Sequence, residues 1–347
     1  MSQSPKAPVA ASPAGGPGAI PEIVQARSIA PSDNSTSVVI AAPAGPQIRT
    51  GAIAVTAYTD VVYATRADAE GGDLPLRLDL LVPETPGLKP LVVFLSGGGF
   101  VLSRKEAAPQ RRAYVAEAGF AVASIEYRTV PNGATYRDAV ADAKCAIRYL
   151  RAHAAQYGLD ASKVAVWGES AGGYVASMAA VTNAMAAFEA PDYPGFSSDV
   201  QAAINMFGLS NLLTFVDDFD PETRPALLRP GTPAAAFLFG PGTSLSLADN
   251  PEAVAAADPG TYVTSETPPF LHFHGSADNV VPPSQSLLLH TALLEHGVES
   301  TRYVLTGAKH GDLSAMLGDP QSALAWSTEE TLGYITGFLA EHLRSAS

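Results

Sequence analysis

The chain has 347 residues, of which 47% are hydrophobic and 16% charged, a balance that argues against wholesale disorder or a coiled coil. Lysine and arginine number 21 against 34 aspartates and glutamates, so the formal net charge of −13 opposes binding to nucleic acid or anionic lipid. The single cysteine, Cys145, excludes an intrachain disulfide.

The first 47 residues differ in composition from the rest, because alanine, proline, glycine and serine dominate and prolines interrupt any regular element. The pattern of a secretion signal is absent, as is any run long enough to span a membrane, so we expect a cytoplasmic location. Short apolar clusters, such as residues 38–40, allow docking on a neighbouring surface. We therefore predict an N-terminal arm at 1–47, flexible or docked, ahead of a folded domain at 48–347.

Strand patterns begin near residue 53. Segments 53–63 and 76–82 alternate apolar and polar residues, which predicts an antiparallel lead-in with one solvated face. Unbroken apolar runs follow, the pattern of parallel strands buried on both faces. These runs occupy residues 91–95, 121–125 and 164–167. Apolar residues recurring at three- and four-residue spacing from Val140 to Ala154 predict a helix that Gly158 ends.

The second half of the chain continues this alternation of strands and helices. Strands are predicted at 200–207, 269–273 and 301–305. We expect helices at 284–296 and 322–343. The stretch 208–268 is too long for a plain connection and predicts a partly helical cap or lid. Together these patterns indicate an α/β fold with a mostly parallel central sheet flanked by helices.

The sequence GESAG at 168–172 matches the pattern G-x-S-x-G, whose small residues allow a turn tight enough to present the hydroxyl of Ser170 above a sheet. An inert serine in a glycine-rich turn is the alternative. The apolar strand before the turn and the small-residue helix after it favour the catalytic interpretation. We predict that Ser170 is a nucleophile.

A serine hydroxyl needs an imidazole to accept its proton, and the sequence has seven histidines. His310 follows the last predicted strand, where a loop can bring its ring over Ser170, so we predict that it is the general base. His274 is the strongest rival, but we expect it to shape the adjacent loop through a hydrogen bond. We expect His272 to be buried with its hydrogen bonds satisfied, and the others to lie on the surface. These others are His153, His290, His296 and His342.

The imidazole in turn needs a carboxylate that holds its tautomer and stabilises its charged form. Asp278 lies in a loop after a predicted strand, and the chain order Ser170, Asp278, His310 is the order of the triad in folds that carry the G-x-S-x-G turn. Asp312 is the alternative, although it lies almost next to His310 and is suited to capping a helix. We predict that Asp278 is the orienting acid.

Ester hydrolysis also requires hydrogen-bond donors for the developing oxyanion. The amides of Gly98, Gly99 and Ala171 are the predicted donors, with Gly97 as a further candidate, because no bulky side chain blocks approach to them. A phosphate loop is excluded, since no Gly-Lys-Ser/Thr follows the glycines. Cys145 lies within a helix pattern and is expected to serve packing.

Several of these motifs together resemble the α/β-hydrolase esterases related to hormone-sensitive lipase, and look most like bacterial carboxylesterases that include acetyl and feruloyl esterases. The motifs are SGGGF at 96–100, EYR at 126–128, VWGESAGG at 166–173, HGSAD at 274–278 and KHG at 309–311. The resemblance runs from Leu76 to the C-terminus and implies the α/β-hydrolase fold for the catalytic domain. One position departs from the family, which has histidine where this chain has Ser96.

The resemblance implies acyl-enzyme chemistry on short- to medium-chain acyl esters, with no cofactor and no metal. The expected partner is a small-molecule ester, not nucleic acid or membrane, and homo-oligomerisation is left open. The residues expected to form the substrate pocket are Phe100, Val101, Leu102, Glu169, Phe207 and Leu209. Two alternatives stay open: a small-ligand receptor on the same fold, and an amide or peptide hydrolase.

Overall fold

In the computed structural model, which describes residues 24–41 and 45–344, nine strands hydrogen-bond into one sheet. In chain order they are β1 Val38–Ile40, β2 Val55–Ala67, β3 Asp73–Pro83, β4 Lys89–Leu95, β5 Ala121–Ile125, β6 Leu159–Glu169, β7 Ala202–Met206, β8 Phe270–Gly275 and β9 Ser300–Leu305. Their order across the sheet is β1-β9-β8-β7-β6-β4-β5-β3-β2.

The sheet is parallel except at the end that holds β2 and β3. Strand β2 pairs with β3, and β3 with β5, in antiparallel fashion, while every other neighbouring pair is parallel. The predicted antiparallel lead-in and mostly parallel sheet are confirmed. Because parallel strands end at the same edge, the loops after β4, β6, β8 and β9 meet there.

Helices cover both faces of the sheet. They are α1 Pro109–Glu117, α2 Tyr136–Ala152, α3 Ala154–Tyr157, α4 Ala171–Val181, α5 Arg224–Leu228, α6 Pro233–Phe239, α7 Pro251–Ala256, α8 Ser284–Glu295, α9 Leu313–Met316, α10 Pro320–Leu324 and α11 Glu329–Leu343. Helices α2, α4 and α8 pack on one face, and α1 and α11 on the other. Within the described residues, no helix combines the length and the apolar character that crossing a bilayer requires.

Strand β4 shows why an unbroken apolar run forms the centre of this sheet. Leu91, Val93 and Leu95 enter the core on one face, and Val92 and Phe94 enter the core on the other. Successive side chains of a strand point to opposite faces, so a strand covered on both sides needs apolar residues at every position. All five side chains are at most 1% exposed.

The described part of the N-terminal arm is docked on the domain. Strand β1 lies within the arm and adds to the edge of the sheet through parallel pairing with β9. Ala26 is 3% exposed and belongs to the hydrophobic core. The arm therefore contributes both a strand and a core residue. The expected arm residues 1–23 and 42–44 lie outside the described residues.

The insertion at 208–268 contains α5, α6 and α7, with 3₁₀ turns at Thr214–Val216 and Pro259–Tyr262. Its apolar side chains, including Phe215 and Phe237, join the same core as α4. The insertion is thus packed against the domain on the face that carries α4.

The single final helix expected at 322–343 is wrong, because the chain forms α10, a 3₁₀ turn at Ala325–Ser327 and then α11. Thr328 has extended backbone angles, φ −86° and ψ 155°, and its hydroxyl oxygen accepts a hydrogen bond from Thr331 N. It therefore caps a new helix instead of continuing the previous one.

Candidate active site

Ser170 lies in the turn between β6 and α4, and Ala171 is the first residue of that helix. The φ of 54° and ψ of −122° at Ser170 are unusual for a residue with a side chain. A Cβ on Gly168 would stand 2.1 Å from the carbonyl oxygen of Gly172, and one on Gly172 would stand 2.2 Å from that of Leu95. Backbone packing that admits only glycine at both positions therefore holds the strained turn.

Three side chains from separate loops meet at this edge of the sheet. Nε2 of His310 lies 2.7 Å from Oγ of Ser170, and Nδ1 of His310 lies 2.7 Å from Oδ2 of Asp278. His310 is 4% exposed and Asp278 is fully buried, whereas Ser170 is partly exposed. The structure thus brings together residues that are 140 and 32 positions apart in the chain.

Asp278 is held as a carboxylate by its neighbours. Burial alone would raise its pKa, but the charge of His310 and hydrogen bonds from His274 and His310 outweigh burial, so the pKa lies well below its ordinary value. Its Oδ1 also accepts the amides of Val280 and Val281, both at 3.0 Å. Because an ionised carboxylate only accepts, Nδ1 of His310 donates to it, which leaves Nε2 to accept from the Ser170 hydroxyl.

His274 is buried beneath the loop that carries Asp278. Its Nε2 donates to the carbonyl oxygen of Val281 at 3.0 Å and lies 3.5 Å from Oδ2 of Asp278, while Nδ1 lies 2.9 Å from Oγ of Ser286. Burial lowers the pKa of His274, which favours the neutral ring. His274 therefore shapes the loop around Asp278 and has no contact with Ser170 among its hydrogen bonds.

Two other histidines differ from expectation. His272 is buried, but neither ring nitrogen has a hydrogen-bond partner in the described chain, so the expectation of satisfied bonds is wrong. Burial lowers its pKa well below the ordinary value and keeps the ring neutral. His290 is 1% exposed instead of lying on the surface, with hydrogen bonds to Ser300 Oγ and Thr36 O. The remaining three are exposed or half-buried: His153, His296 and His342.

The glycine loop after β4 lies against the turn that carries Ser170. A Cβ on Gly97 would stand 2.9 Å from the Cβ of Ser170, and a Cβ on Gly98 would collide with the carbonyl oxygen of Leu102 at 2.0 Å. Gly99 has a φ of 58°. The close approach of this loop to the serine therefore depends on the absence of side chains.

Ser96, at the position where the resemblance predicts histidine, is 1% exposed and hydrogen-bonded within the loop. Its Oγ accepts the amide of Arg104 at 2.8 Å, and its carbonyl oxygen accepts the hydroxyl of Tyr127 at 2.7 Å. The Ser96 hydroxyl therefore links the start of the glycine loop to Arg104, which follows the loop. A serine side chain is long enough to make this hydrogen bond.

The aromatic residues expected near the substrate are packed against other rings. Phe100 stacks on Phe237 of α6 with ring centroids 4.2 Å apart, and Phe207 contacts the ring of His310 edge-on at 4.9 Å. Both are 3% exposed, and Leu209 is 7% exposed. Phe207 therefore backs the His310 imidazole, while Phe100 ties the glycine loop to the insertion at 208–268.

A cavity of about 20 Å³ lies beside His310. Its other lining residues are Gln25, Asn279, Val280, Lys309, Ser314, Leu317 and Asp319. The residues expected to form the substrate pocket do not line this cavity. Among them, Glu169 is buried and paired with Arg111, and Leu102 is 36% exposed. Gln25, from the N-terminal arm, had no sequence pattern that would place it near His310.

Asp312, the alternative acid, contacts Arg111 and not His310. Its side chain is 58% exposed and lies 2.8 Å from Nη2 of Arg111. It occupies the position before α9, yet its side chain makes no capping hydrogen bond, so the expected capping role is wrong. The sequence does not predict the role of Arg111, because no local pattern links it to Glu169 and Asp312, which are distant in the chain.

A group with metal-ligand side chains also occurs among the described residues. Glu299, Glu341 and His342 have ligand atoms within 4.8 Å of one another, and both glutamates are exposed. Exposed acidic clusters are common without an ion, so this group alone does not indicate a metal site.

Comparison with known proteins gives a family match: the family model described as BD-FAE matches residues 78–293. Esterase LipQ of Mycobacterium tuberculosis is 32% identical over 284 residues, covering 80% of this chain and 62% of that protein. Isoprenylcysteine alpha-carbonyl methylesterase ICME of Arabidopsis thaliana is 30% identical, covering 72% and 56%. The chain spans about half the length of several curated relatives that it matches.

Solved structures of esterases share the fold. A truncated carbohydrate esterase from gut microbiota superposes with a TM-score of 0.70 at 25% identity, over 87% of this chain and all of that chain. Thermogutta terrifontis esterase 2, solved after phosphorylation by paraoxon, gives a TM-score of 0.62 at 26% identity, over 84% and 96%. The α/β-hydrolase fold expected from the sequence is confirmed.

Proposed function

This chain belongs to the BD-FAE family, and from that membership we propose that it hydrolyses carboxylic esters with Ser170 as nucleophile, His310 as general base and Asp278 as orienting acid. The observation that carries the proposal is the pair of 2.7 Å contacts made by the two ring nitrogens of His310. A serine, an imidazole and a buried carboxylate in this chain of hydrogen bonds are the parts that acyl transfer requires.

In the first half of the reaction, Oγ of Ser170 attacks the ester carbonyl carbon while its proton moves to Nε2 of His310. The tetrahedral intermediate then breaks its bond to the alkoxide oxygen, which takes the proton from His310 and leaves as the alcohol. In the second half, water attacks the acyl-enzyme, again giving a proton to His310. The acid is released when Oγ recovers that proton, so the enzyme returns unchanged.

We propose that the amides of Gly98, Gly99 and Ala171 donate hydrogen bonds to the developing oxyanion, with the amide of Gly97 as a further candidate. The close packing of the glycine loop against Ser170 supports this assignment, as does the position of Ala171 at the start of α4. One such donor contributes about 3 kcal/mol of transition-state stabilisation.

We propose short- to medium-chain acyl groups as substrates. The buried aromatic rings of Phe100 beside the glycine loop and of Phe207 beside His310 support a site of limited size. Long acyl chains would need space that these packed rings occupy.

We further propose that residues 208–268 form a cap on a catalytic domain that begins near residue 48. The stacking of Phe237 on Phe100 supports this function, because it fixes α6 of the insertion against the glycine loop. The arm meets the same region, since Arg27 N donates to Oδ2 of Asp220 at 2.7 Å.

Hydrolysis of p-nitrophenyl acetate, butyrate and octanoate by the purified protein tests the proposal. We expect turnover of the shorter esters and loss of kcat by about 10⁵-fold or more in Ser170→Ala. Ser177→Ala is the matched control, because its hydroxyl lies on α4 and bonds only Gly173 O at 2.8 Å. Equal rates for the wild type and Ser170→Ala would contradict the assignment of the nucleophile.

The two alternatives from the sequence predict other results in a parallel assay. A small-ligand receptor would bind esters tightly without releasing p-nitrophenol. An amide hydrolase would cleave p-nitroanilides at rates comparable to those of the esters.

A further inference from the structure

Arg111, on α1, is buried and forms hydrogen bonds through every N–H group of its guanidinium. Its side chain is 4% exposed. Two bonds go to Glu169, at 3.1 and 3.0 Å, two to Asp312, at 2.9 and 2.8 Å, and one to Ser327 Oγ at 3.2 Å. A guanidinium has five N–H donors, so no donor remains free.

The two carboxylates belong to the two catalytic loops. Glu169 directly precedes Ser170, and Asp312 follows His310 by two residues. A bidentate guanidinium contact fixes both distance and angle, because the two parallel hydrogen bonds define a plane. One side chain therefore joins the serine turn to the histidine loop, at points immediately beside the reacting groups.

The charges of Arg111, Glu169 and Asp312 also contribute to the electrostatic environment of His310. Burial raises the pKa of Glu169, and the charge of Arg111 opposes that rise, so Arg111 favours the ionised carboxylate. The charge of Glu169 interacts with His310. Without Arg111, burial would favour the protonated carboxyl of Glu169, and the negative charge of Asp312 would lose its partner.

We propose that Arg111 is a positioning residue that fixes the Ser170 turn relative to the His310 loop and offsets the negative charges of Glu169 and Asp312 beside the imidazole. The inference rests on the proposed ester hydrolysis and adds a residue to its machinery. Arg111 acts through Glu169 and Asp312 and has no contact with Ser170 or His310 among its hydrogen bonds.

Charged and titratable groups from several elements lie around His310. They are Asp278 in the loop after β8, His274 of β8, Glu169 of β6, Arg111 of α1, and Lys309, Asp312 and Asp319 in the segment after β9. Lys309 and Asp319 pair with each other at 2.9 Å, so their charges largely offset. On the serine side, Arg111 is the cation that hydrogen-bonds both Glu169 and Asp312.

The pH dependence of kcat/KM in Arg111→Met tests the proposal. We expect kcat to fall about 10- to 100-fold with KM within about twofold, since a displacement near 1 Å has an effect of this size. We also expect the acid limb to move to higher pH, because the Asp312 charge, no longer offset by Arg111, favours the protonated imidazole. Adding Asp312→Asn removes that charge and should return the acid limb toward its wild-type position.

Two further variants separate geometry from charge. Arg111→Lys keeps the charge but loses the bidentate contacts, so kcat should fall while the acid limb stays in place. Asp312→Asn removes a negative charge from an exposed position, so the acid limb should move to lower pH, opposite to the shift in Arg111→Met. Because Asp312 is exposed, this variant also provides a test if Arg111→Met does not fold.

Arg112→Met is the matched control on the same helix. Arg112 is 5% exposed and donates to Ala107 O at 2.7 Å, but makes no hydrogen bond to either carboxylate. Because its charge also interacts with Glu169, this variant controls for the loss of a cation from α1, and it should lose stability while kcat stays close to that of the wild type. A folded Arg111→Met with wild-type kcat, or with an unmoved acid limb, overturns the inference while leaving ester hydrolysis intact. A wild type without esterase activity would instead overturn the proposed function.

Discussion

The turn that carries Ser170 and the N-terminal segment that runs beside His310 are held by contacts of different kinds. In the turn, hypothetical side chains on Gly168 and Gly172 would stand about 2 Å from backbone oxygens. In the arm, Ala26 exchanges two hydrogen bonds with Asn279, its amide donating at 2.9 Å and its carbonyl oxygen accepting at 3.0 Å. Close backbone packing fixes the turn, whereas the arm segment is fixed by a few hydrogen bonds and one buried alanine.

This difference separates the part of the molecule that positions the reacting atoms from the segments that border the site. The reacting atoms lie on strand ends whose backbones cannot shift without collision, so their distances are set by the fold. The described arm lies along the surface of the domain, with Gln25 and Arg27 exposed on either side of the buried Ala26, and loss of one hydrogen bond there costs only about 1 kcal/mol. We therefore expect changes at the turn and its partners to have large effects, and changes in the arm to have small ones.

Asp278→Asn should have the largest effect, on activity. The amide would leave His310 without the carboxylate that holds its tautomer, so kcat should fall by about 10⁴-fold. Steady-state kinetics with p-nitrophenyl acetate measure this, and circular dichroism checks that the variant is folded. A kcat within tenfold of the wild type would mean that Asp278 is not the orienting acid.

Gly172→Ala should have the next largest effect, on stability. The added methyl group would meet the carbonyl oxygens of Leu95 and Ser96 at 2.2 and 2.5 Å, so we expect a loss of about 3 kcal/mol or more in the free energy of unfolding. Gly333→Ala on α11 is the control, since a Cβ there meets nothing within 4 Å and alanine favours the helix. Urea unfolding compares the two variants. Equal stability would refute the account of the turn.

The ionisation of Asp278 predicts a pH dependence of stability. Its folded-state pKa lies below the ordinary 3.8, so the folded protein binds fewer protons than the unfolded chain near that pH. Its stabilising contribution is therefore present above 3.8 and is lost as the pH falls toward the folded-state pKa. Urea unfolding at about pH 6 and about pH 3 should show a larger acid loss in the wild type than in Asp278→Asn. Parallel losses would argue against a depressed pKa.

Asn279→Ala should have the smallest effect. The substitution removes the side-chain amide that donates to Ala26 O, at a cost of about 1 kcal/mol. Trypsin should then cleave after the exposed Arg27 faster than in the wild type, while kcat for p-nitrophenyl acetate stays within about threefold. Unchanged cleavage would show that this hydrogen bond does not hold the arm.

The sequence predicts best what depends on local patterns. Five consecutive apolar residues at 91–95 indicate a strand buried on both faces, and GESAG at 168–172 specifies a turn that only small residues can form. The resemblance to bacterial carboxylesterases is likewise confirmed by the family match and the related esterases. In each case the signal and the structure it predicts lie within a short stretch of chain.

The sequence does not predict contacts between distant residues that no motif links. Arg111 and Asp312 are 201 positions apart, and nothing near either residue identifies the other. Strand β1 has only three residues and exposed valines, so its pairing with β9 stabilises a segment that looks irregular by itself. His290 lies on α8 and is buried through its neighbours, one of which is the carbonyl of Thr36 in the arm.

Labelling by paraoxon tests the central claim most directly, because an organophosphate reacts with a serine only where its hydroxyl is activated. We predict that the wild-type protein gains one diethylphosphoryl group, that peptide fragmentation places it on Ser170, and that hydrolysis of p-nitrophenyl esters stops in proportion to labelling. Ser170→Ala should remain unlabelled. A protein that stays unmodified, or that carries the group on another residue while activity is lost, would contradict the account.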